Sequence, residues 1–398
     1  MKLDRRTFLS AGGSLLAATL GAPQVHAGLS LFGGGGKQFE GRTLVLIQLA
    51  GGNDGLSTIV PYDDSDYANA RTTTRHKKSE LLVIDKRRGM NGQLVGLKSL
   101  YDAGQLAIIE GVGYPDGVRS HFKSFDVWHT ASTEGRAVGE GWIPRLVREA
   151  FPDDQAPERT VHIGKRVPYS LHAADSAPIA FEVPESYRWF GAEPGTVAGD
   201  VEPSGNPALD RLRGVQADAS ASSKRIRDAA RRYKTAADYP NSEFGRALRV
   251  AAALIDARIG GRVISIEVAG FDTHKAQRNT HDNLMRVIDQ GLSTFAADLR
   301  GRTAGDETLV VVFSEFGRRV AENGSRGTDH GRAGPMFALG TPVKGGLYGK
   351  APRLDRLESG DLAFTTDFRR SYATVCERWF GADTKTVLGA NYEPLDFV

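Results

Sequence analysis

The apolar positions fall into continuous runs, and these runs mark the elements. Thr43-Leu-Val-Leu-Ile-Gln-Leu-Ala50 is apolar almost throughout and stops at Gly51-Gly52, which predicts a strand buried on both faces. Leu106-Ala-Ile-Ile-Glu-Gly-Val112 predicts a second strand, Thr160–Ile163 a short one, and Arg262–Val268 and Thr308–Phe313 two more. Between them the spacing lengthens to that of helices: Leu94–Ala103, Arg119–Thr130 with Phe122, Phe125 and Trp128 to one side, roughly 216–236, roughly 242–258 with Phe244, Leu248, Ala251, Ala252 and Ile255 on one face, Asp282–Leu299, and a terminal helix over Phe368–Phe380. A short Gly-rich hairpin is expected near 343–349. Strand alternating with helix in this way predicts an α/β fold, a mostly parallel sheet covered by helices. Residues 152–215, rich in Pro, Gly, Ala and acidic side chains, break the rhythm and read as an irregular insertion or cap within one domain.

Composition narrows the chemistry. The chain has 398 residues, 40% hydrophobic and 25% charged, enough to bury a large core. Its one cysteine, Cys376, excludes an intramolecular disulfide, a Cys-based zinc cluster and a CxxC redox pair, so any metal has to be held by His and carboxylates. The formal charge of +3 falls to about +1 without the first 27 residues, where Lys2, Arg5 and Arg6 oppose Asp4 alone, and no basic excess argues for nucleic acid. Those first residues look like an address. Arg5-Arg6-Thr-Phe-Leu9, a weakly apolar run from Ser10 to Gly21 and Val25-His26-Ala27 have the parts of a twin-arginine signal peptide, with cleavage expected after Ala27. A flexible lead-in is expected over 28–41 and one domain over 42–398, exported by the twin-arginine translocase to the periplasm or the medium. No later run offers about 18 consecutive apolar residues, so no membrane span is expected in the mature chain.

In open α/β sheets ligands bind beyond the carboxyl ends of the strands. Four predicted strands are followed there by polar groups. Gly51-Gly-Asn-Asp54 follows the first, Arg119-Ser120-His121 the second, Gly270-Phe-Asp272-Thr-His274 the next, and Ser314-Glu315-Phe-Gly-Arg318 the last, with Gly327-Thr-Asp329-His330-Gly331 close behind. Carboxylates with one or two imidazoles suit Zn, Mn, Mg or Ca. Each motif also has a plainer reading: Asp54 as a turn-stabilising side chain, Asp272 as a cap and Ser120 as an N-cap. Asp329-His330 is harder to explain without pairing or a ligand. Ser120 opens a predicted helix where unpaired N–H groups favour an anion, which suits a nucleophile, and Arg119, Arg318 and Arg332 are candidates to grip an oxyanion. His121 and His281 could face the same edge or be solvated helical residues, while His76, His129, His162 and His172 read as structural or exposed.

Taken together, Leu49-Ala-Gly-Gly-Asn-Asp-Gly55, Ser120-His-Phe122, Phe271-Asp-Thr-His274, Ser314-Glu-Phe-Gly-Arg318 and Gly327-Thr-Asp-His-Gly331 resemble the DUF1501 proteins, exported relatives of the alkaline phosphatase and sulfatase superfamily. The resemblance implies an alkaline-phosphatase-like three-layer α/β/α sandwich with one or two divalent ions at the carboxyl edge. It implies Asp54, Asp272, His274, Glu315, Asp329 and His330 as metal ligands and Ser120 at the nucleophile position. The chain departs from the superfamily where Ser314-Glu315-Phe316 stands in place of Asp-His, and in the short Asp272-Thr-His274 spacing. No Ser-x-Pro-x-Arg exists and Cys376 lies in Cys-Glu-Arg-Trp, which argues against formylglycine chemistry. The expectation is a metal-dependent hydrolase of anionic phosphate or sulfate esters, on small molecules or glycans, with Ser120 or water as nucleophile. The alternative is a secreted binding or assembly protein that keeps a degenerate or structural metal site.

Overall fold

A computed structural model describes residues 39–174, 178–187 and 204–398. The expected signal peptide over 1–27 and most of the lead-in lie outside the described residues.

Eleven strands define the region around the site: β1 Thr43–Leu49, β2 Leu106–Gly113, β3 Thr160–Ile163, β4 Ile179–Phe181, β5 Val263–Val268, β6 Thr308–Phe313, β7 Arg318–Glu322, β8 Thr328–His330, β9 Gly334–Leu339, β10 Gly346–Gly349 and β11 Thr366–Asp367. Nine of them form one sheet in the order β10-β2-β9-β6-β1-β5-β3-β4, with β11 also beside β2. All run parallel except β9, which is antiparallel to both β2 and β6. The carboxyl ends of β1, β2, β5 and β6 therefore share one edge.

Successive strand residues point to opposite faces, and both faces are apolar. Val45, Ile47, Ile108, Ile266 and Val312 pack under helices α1 Val95–Asp102, α5 Glu243–Asp256 and α6 Gln277–Leu299 through Leu97, Leu248, Met285 and Leu292. Leu44, Leu46, Ile109, Val311 and Phe313 pack on the other side with α2 His121–Thr130, α3 Trp142–Ala150 and α7 Phe368–Ala373. There Trp128 stacks on Phe368 at 4.3 Å and Trp142 on Tyr372 at 4.1 Å between ring centroids. The result is the three-layer, mostly parallel arrangement implied by the resemblance. The intervening helix α4, Pro207–Arg232, is capped by Asn206.

Four expectations change. The segment near 343–349 is not a hairpin: Gly346–Gly349 is an edge strand parallel to β2, where a side chain at Gly345 would meet the backbone of Gly104. Helix α4 starts well before residue 216, because Asn206 caps it and Pro207 sits at its first turn. Phe122 does not join the packed side of α2 but stands 83% exposed. Within the stretch expected as an irregular insertion, the short strand expected over Thr160–Ile163 is present as β3, but it joins the main sheet and an unexpected β4 extends the far edge beyond it, while residues 188–203 lie outside the described residues.

Candidate metal centre

Three imidazoles and one carboxylate meet at the shared edge. Asp272 follows β5, His121 opens α2, His274 lies in the loop after Asp272, and His330 ends β8. Asp272 Oδ1 is 3.0 Å from His330 Nε2, 3.1 Å from His274 Nε2 and 3.6 Å from His121 Nε2, and the two Nε2 atoms of His274 and His330 are 2.9 Å apart. His121, Asp272 and His330 form a group able to hold a metal ion.

The far side of each ring fixes its tautomer. His121 Nδ1 lies 2.7 Å from Glu315 Oε1, His274 Nδ1 3.1 Å from Asp329 Oδ1, and His330 Nδ1 2.9 Å from the Arg119 carbonyl. A carboxylate or carbonyl can only accept, so each Nδ1 is the donor, and in the neutral ring each Nε2 carries its lone pair toward Asp272. Four acceptors thus converge. Among the described residues Arg318 is the cationic side chain that answers them, with Nη2 donating to Asp272 Oδ1 at 2.7 Å. Such a convergence suits a cation, and imidazoles oriented from behind by carboxylates are the usual support of a metal site.

Glu315 is fully buried and also accepts from the Gly51 N–H at 2.9 Å and from Ser314. It raises the His121 pKa, chiefly through their hydrogen bond. Asp329 is held by Asn323 at 3.0 Å, and that bond keeps its carboxyl below the usual range. Burial pushes the Asp272 carboxyl up, but the Arg318 guanidinium, through its hydrogen bond and its charge, opposes this and the group is held at about 2. Asp272 is therefore an anion at neutral pH.

The remaining sequence candidates are placed differently. Asp54 caps the short helix Gly55–Thr58, and its oxygens accept from Leu56 N at 3.2 Å, Ser57 Oγ at 2.7 Å, Arg71 Nη2 at 2.9 Å, and also from Arg71 Nη1 and Gln277. Burial alone would raise its pKa, yet the equally buried Arg71 holds it well below the usual range. Asp54 therefore spends its carboxylate on these partners and does not join His121, Asp272 and His330. Glu315 and Asp329 stand behind imidazoles instead of facing the convergence. Arg318 is fully buried and spends its donors on backbone carbonyls as well as on Asp272: Gly52 at 2.8 Å, Thr328 and Phe271 at 2.9 Å, and Gly51. It positions the loops rather than gripping a ligand. Arg332 pairs with Glu358 at 3.2 Å. Ser120 caps α2 by position, but its side chain makes no capping hydrogen bond.

His121 reads in the sequence as a residue that could face this edge, but it stands outside the expected ligand set. Its signal was present, an imidazole directly after a candidate nucleophile at a strand end, but nothing in the chain showed that Glu315 would orient it. Glycines let these loops meet. At Gly51, φ is 122° and a Cβ would lie 2.4 Å from Asp272 N, while one at Gly331 would lie 2.5 Å from the Arg318 backbone.

The fold and this edge define a mixed α/β protein with a histidine and carboxylate centre beyond the ends of its parallel strands. Residues 107–388 match the profile of DUF1501, described as a protein of unknown function, and the chain belongs to that family. No curated protein matches the chain. Similar solved structures include the lipoteichoic acid synthase LtaP from Listeria monocytogenes, 11% identical, covering 83% of this chain and 76% of that one at a TM-score of 0.37. A Vibrio parahaemolyticus protein in the alkaline phosphatase superfamily is 10% identical, covering 87% and 68% at 0.40. A putative sulfatase from Bacteroides thetaiotaomicron is 9% identical, covering 88% and 75% at 0.41.

Proposed function

We propose that this protein is a metal-dependent hydrolase of phosphate or sulfate esters, exported by way of its N-terminal twin-arginine sequence. The observation that carries the reading is the meeting of three imidazole Nε2 lone pairs with Asp272 Oδ1, each ring oriented from behind by a hydrogen-bond acceptor. Neutral imidazoles with a carboxylate fit Zn or Mn, and His121, Asp272, His274 and His330 would hold the ion. When bound, a divalent ion supplies Lewis acidity toward an ester oxygen and favours loss of a proton from a nearby nucleophile.

The chain's own groups do the rest. Arg318 anchors Asp272 and so keeps one ligand ionised and in place. Glu315 keeps the His121 ring turned toward the centre. Ser120 directly precedes His121, and its side chain is not spent on capping, so its hydroxyl is available beside the open first-turn N–H groups of α2. Those N–H groups suit the charge that develops on a phosphoryl or sulfuryl oxygen. The net reaction adds water across the ester to give an alcohol and the free oxyanion, with Ser120 or water attacking. No described helix is long and apolar enough to cross a membrane.

The test is turnover of 4-nitrophenyl phosphate and 4-nitrophenyl sulfate by the full chain loaded in turn with Zn, Mn, Mg and Ca, beside a chelated control. Ion-dependent turnover that is lost in His330→Ala supports the reading. Turnover indifferent to chelation contradicts it, and a chain that holds metal without hydrolysing either ester favours a binding or assembly role.

A further inference from the structure

Beside the centre, three arginines surround one buried carboxylate. A turn at Ser359-Gly360, with φ of 54° and 82°, folds Leu357–Glu358 back on Asp361–Leu362 and sets Asp361 into the wall, fully buried. Arg119 donates from Nε to Asp361 Oδ2 at 2.7 Å and from Nη2 to the Ser359 carbonyl at 3.1 Å. Arg332 Nε is 3.6 Å from Asp361, and Arg319 Nε is 3.7 Å from it. Both distances give charge contact without a hydrogen bond. Arg332 Nε and Asp361 Oδ1 are buried with no hydrogen-bond partner, and the Arg319 guanidinium donates to no described residue.

This is more positive charge than Asp361 requires. Arg119 alone supplies its counter-charge, Glu358 pairs with Arg332, and Asp329, the further carboxylate that feels the Arg319 charge, is already bonded to Asn323 and His274. Their side chains remain 32%, 37% and 30% exposed for Arg119, Arg319 and Arg332. Each also lies next to the centre along the chain. Arg119 lends its carbonyl to His330 and precedes Ser120, Arg319 follows Arg318, and Arg332 follows His330 by two residues.

We propose that Arg119, Arg319 and Arg332, braced by Asp361, form an anion subsite that takes a second charged group of the substrate, so that the preferred ester is a multivalent oxyanion carrying more than one phosphate or sulfate. The inference rests on the hydrolase reading for the word substrate, but the subsite itself needs no metal. Guanidiniums fit tetrahedral oxyanions through paired N–H donors, and donors left unspent at a partly open wall are what such a ligand would take up.

The experiment measures binding of tripolyphosphate and of sucrose octasulfate to the chelated full chain by calorimetry. Arg319→Gln, which breaks a 3.7 Å ion pair and no described side-chain hydrogen bond, is expected to keep the wild-type melting temperature and weaken binding about tenfold, the loss of one charge-assisted contact. The Arg119→Gln, Arg319→Gln, Arg332→Gln triple variant should bind more weakly still. A preference for one probe then identifies phosphate or sulfate as the second group. Equal binding by wild type and Arg319→Gln overturns the subsite, as does an equal loss in Arg249→Gln on α5, which would mean diffuse charge attraction. If the hydrolase reading fails, chelated protein still binds the probes through these arginines. If the subsite fails, His330→Ala still abolishes metal-dependent turnover.

Discussion

Asp54 and Asp272 follow neighbouring strands, and each touches an arginine. Asp54 lies wholly buried against Arg71, with both oxygens occupied, whereas Asp272 is half exposed and presents Oδ1 to three lone pairs. Removing one partner of a buried ion pair leaves the other charge stranded, so Asp54→Ala should cost about 3–5 kcal/mol in chemical denaturation. Its metal content, measured on the fraction that remains folded, should be unchanged. Glu315→Gln should retain the fold but lower metal affinity about 10–100-fold, because His121 then donates to a neutral amide oxygen in place of a carboxylate. Equilibrium dialysis against a metal indicator checks this. At this scale Asp272, His274 and His330 were legible in the sequence as polar residues after apolar runs. Asp54 was legible as a site residue for the same reason, but its partner Arg71 lies in a separate loop, and no local spacing reveals that pairing.

The strands of the central sheet stand out in the chain because burial on both faces demands unbroken apolar runs. The elements that carry His330 do not. β7 and β8 are short and half polar, and β9 begins Gly334-Pro335, a start that hides a strand running against its neighbours. Their geometry is set by close backbone approaches at Gly317 and Gly331, where a Cβ would lie 1.9 Å from the Ala333 carbonyl and 2.5 Å from the Arg318 backbone. Gly331→Ala should therefore shift the β7–β8 hairpin, move His330 and weaken metal binding more than it lowers the melting temperature. At the start of α2 the opposite holds. Ser120 makes no capping hydrogen bond, so Ser120→Ala should change stability by far less than the about 1 kcal/mol that a capping serine usually contributes. Thermal melts beside a turnover assay separate the two roles.

For the molecule as a whole, buried histidines set the response to acid. Burial pushes His129 down to about 3, and His162 and His281 down to about 4, from an ordinary value of 6.5. In the folded chain they stay neutral while in the unfolded chain they take up protons below about 6.5, so stability falls as pH drops from about 6.5 toward 4. Each contributes on the order of 1.4 kcal/mol per pH unit across that window. Asp272, Asp282 and Glu322 are held at about 2, so their stabilisation is lost only at lower pH, as it falls through their folded values. Denaturation of chelated protein from pH 7 to pH 4 should show this slope, reduced by one proton's worth in His129→Gln. None of these burials was visible in the sequence, since a lone histidine on a helix or strand reads alike whether its ring is solvated or enclosed.

The central claim is that the histidine and carboxylate edge holds a divalent ion. Elemental analysis by ICP-MS tests it most directly, on full-length protein purified without chelator and then exposed in turn to Zn, Mn, Mg and Ca. A stoichiometric ion retained by the wild type and by Glu322→Gln, and lost from an Asp272→Asn, His330→Ala double variant that still melts cooperatively, is the predicted result. A folded wild type that stays metal-free after every exposure, or a double variant that keeps its ion, would contradict it.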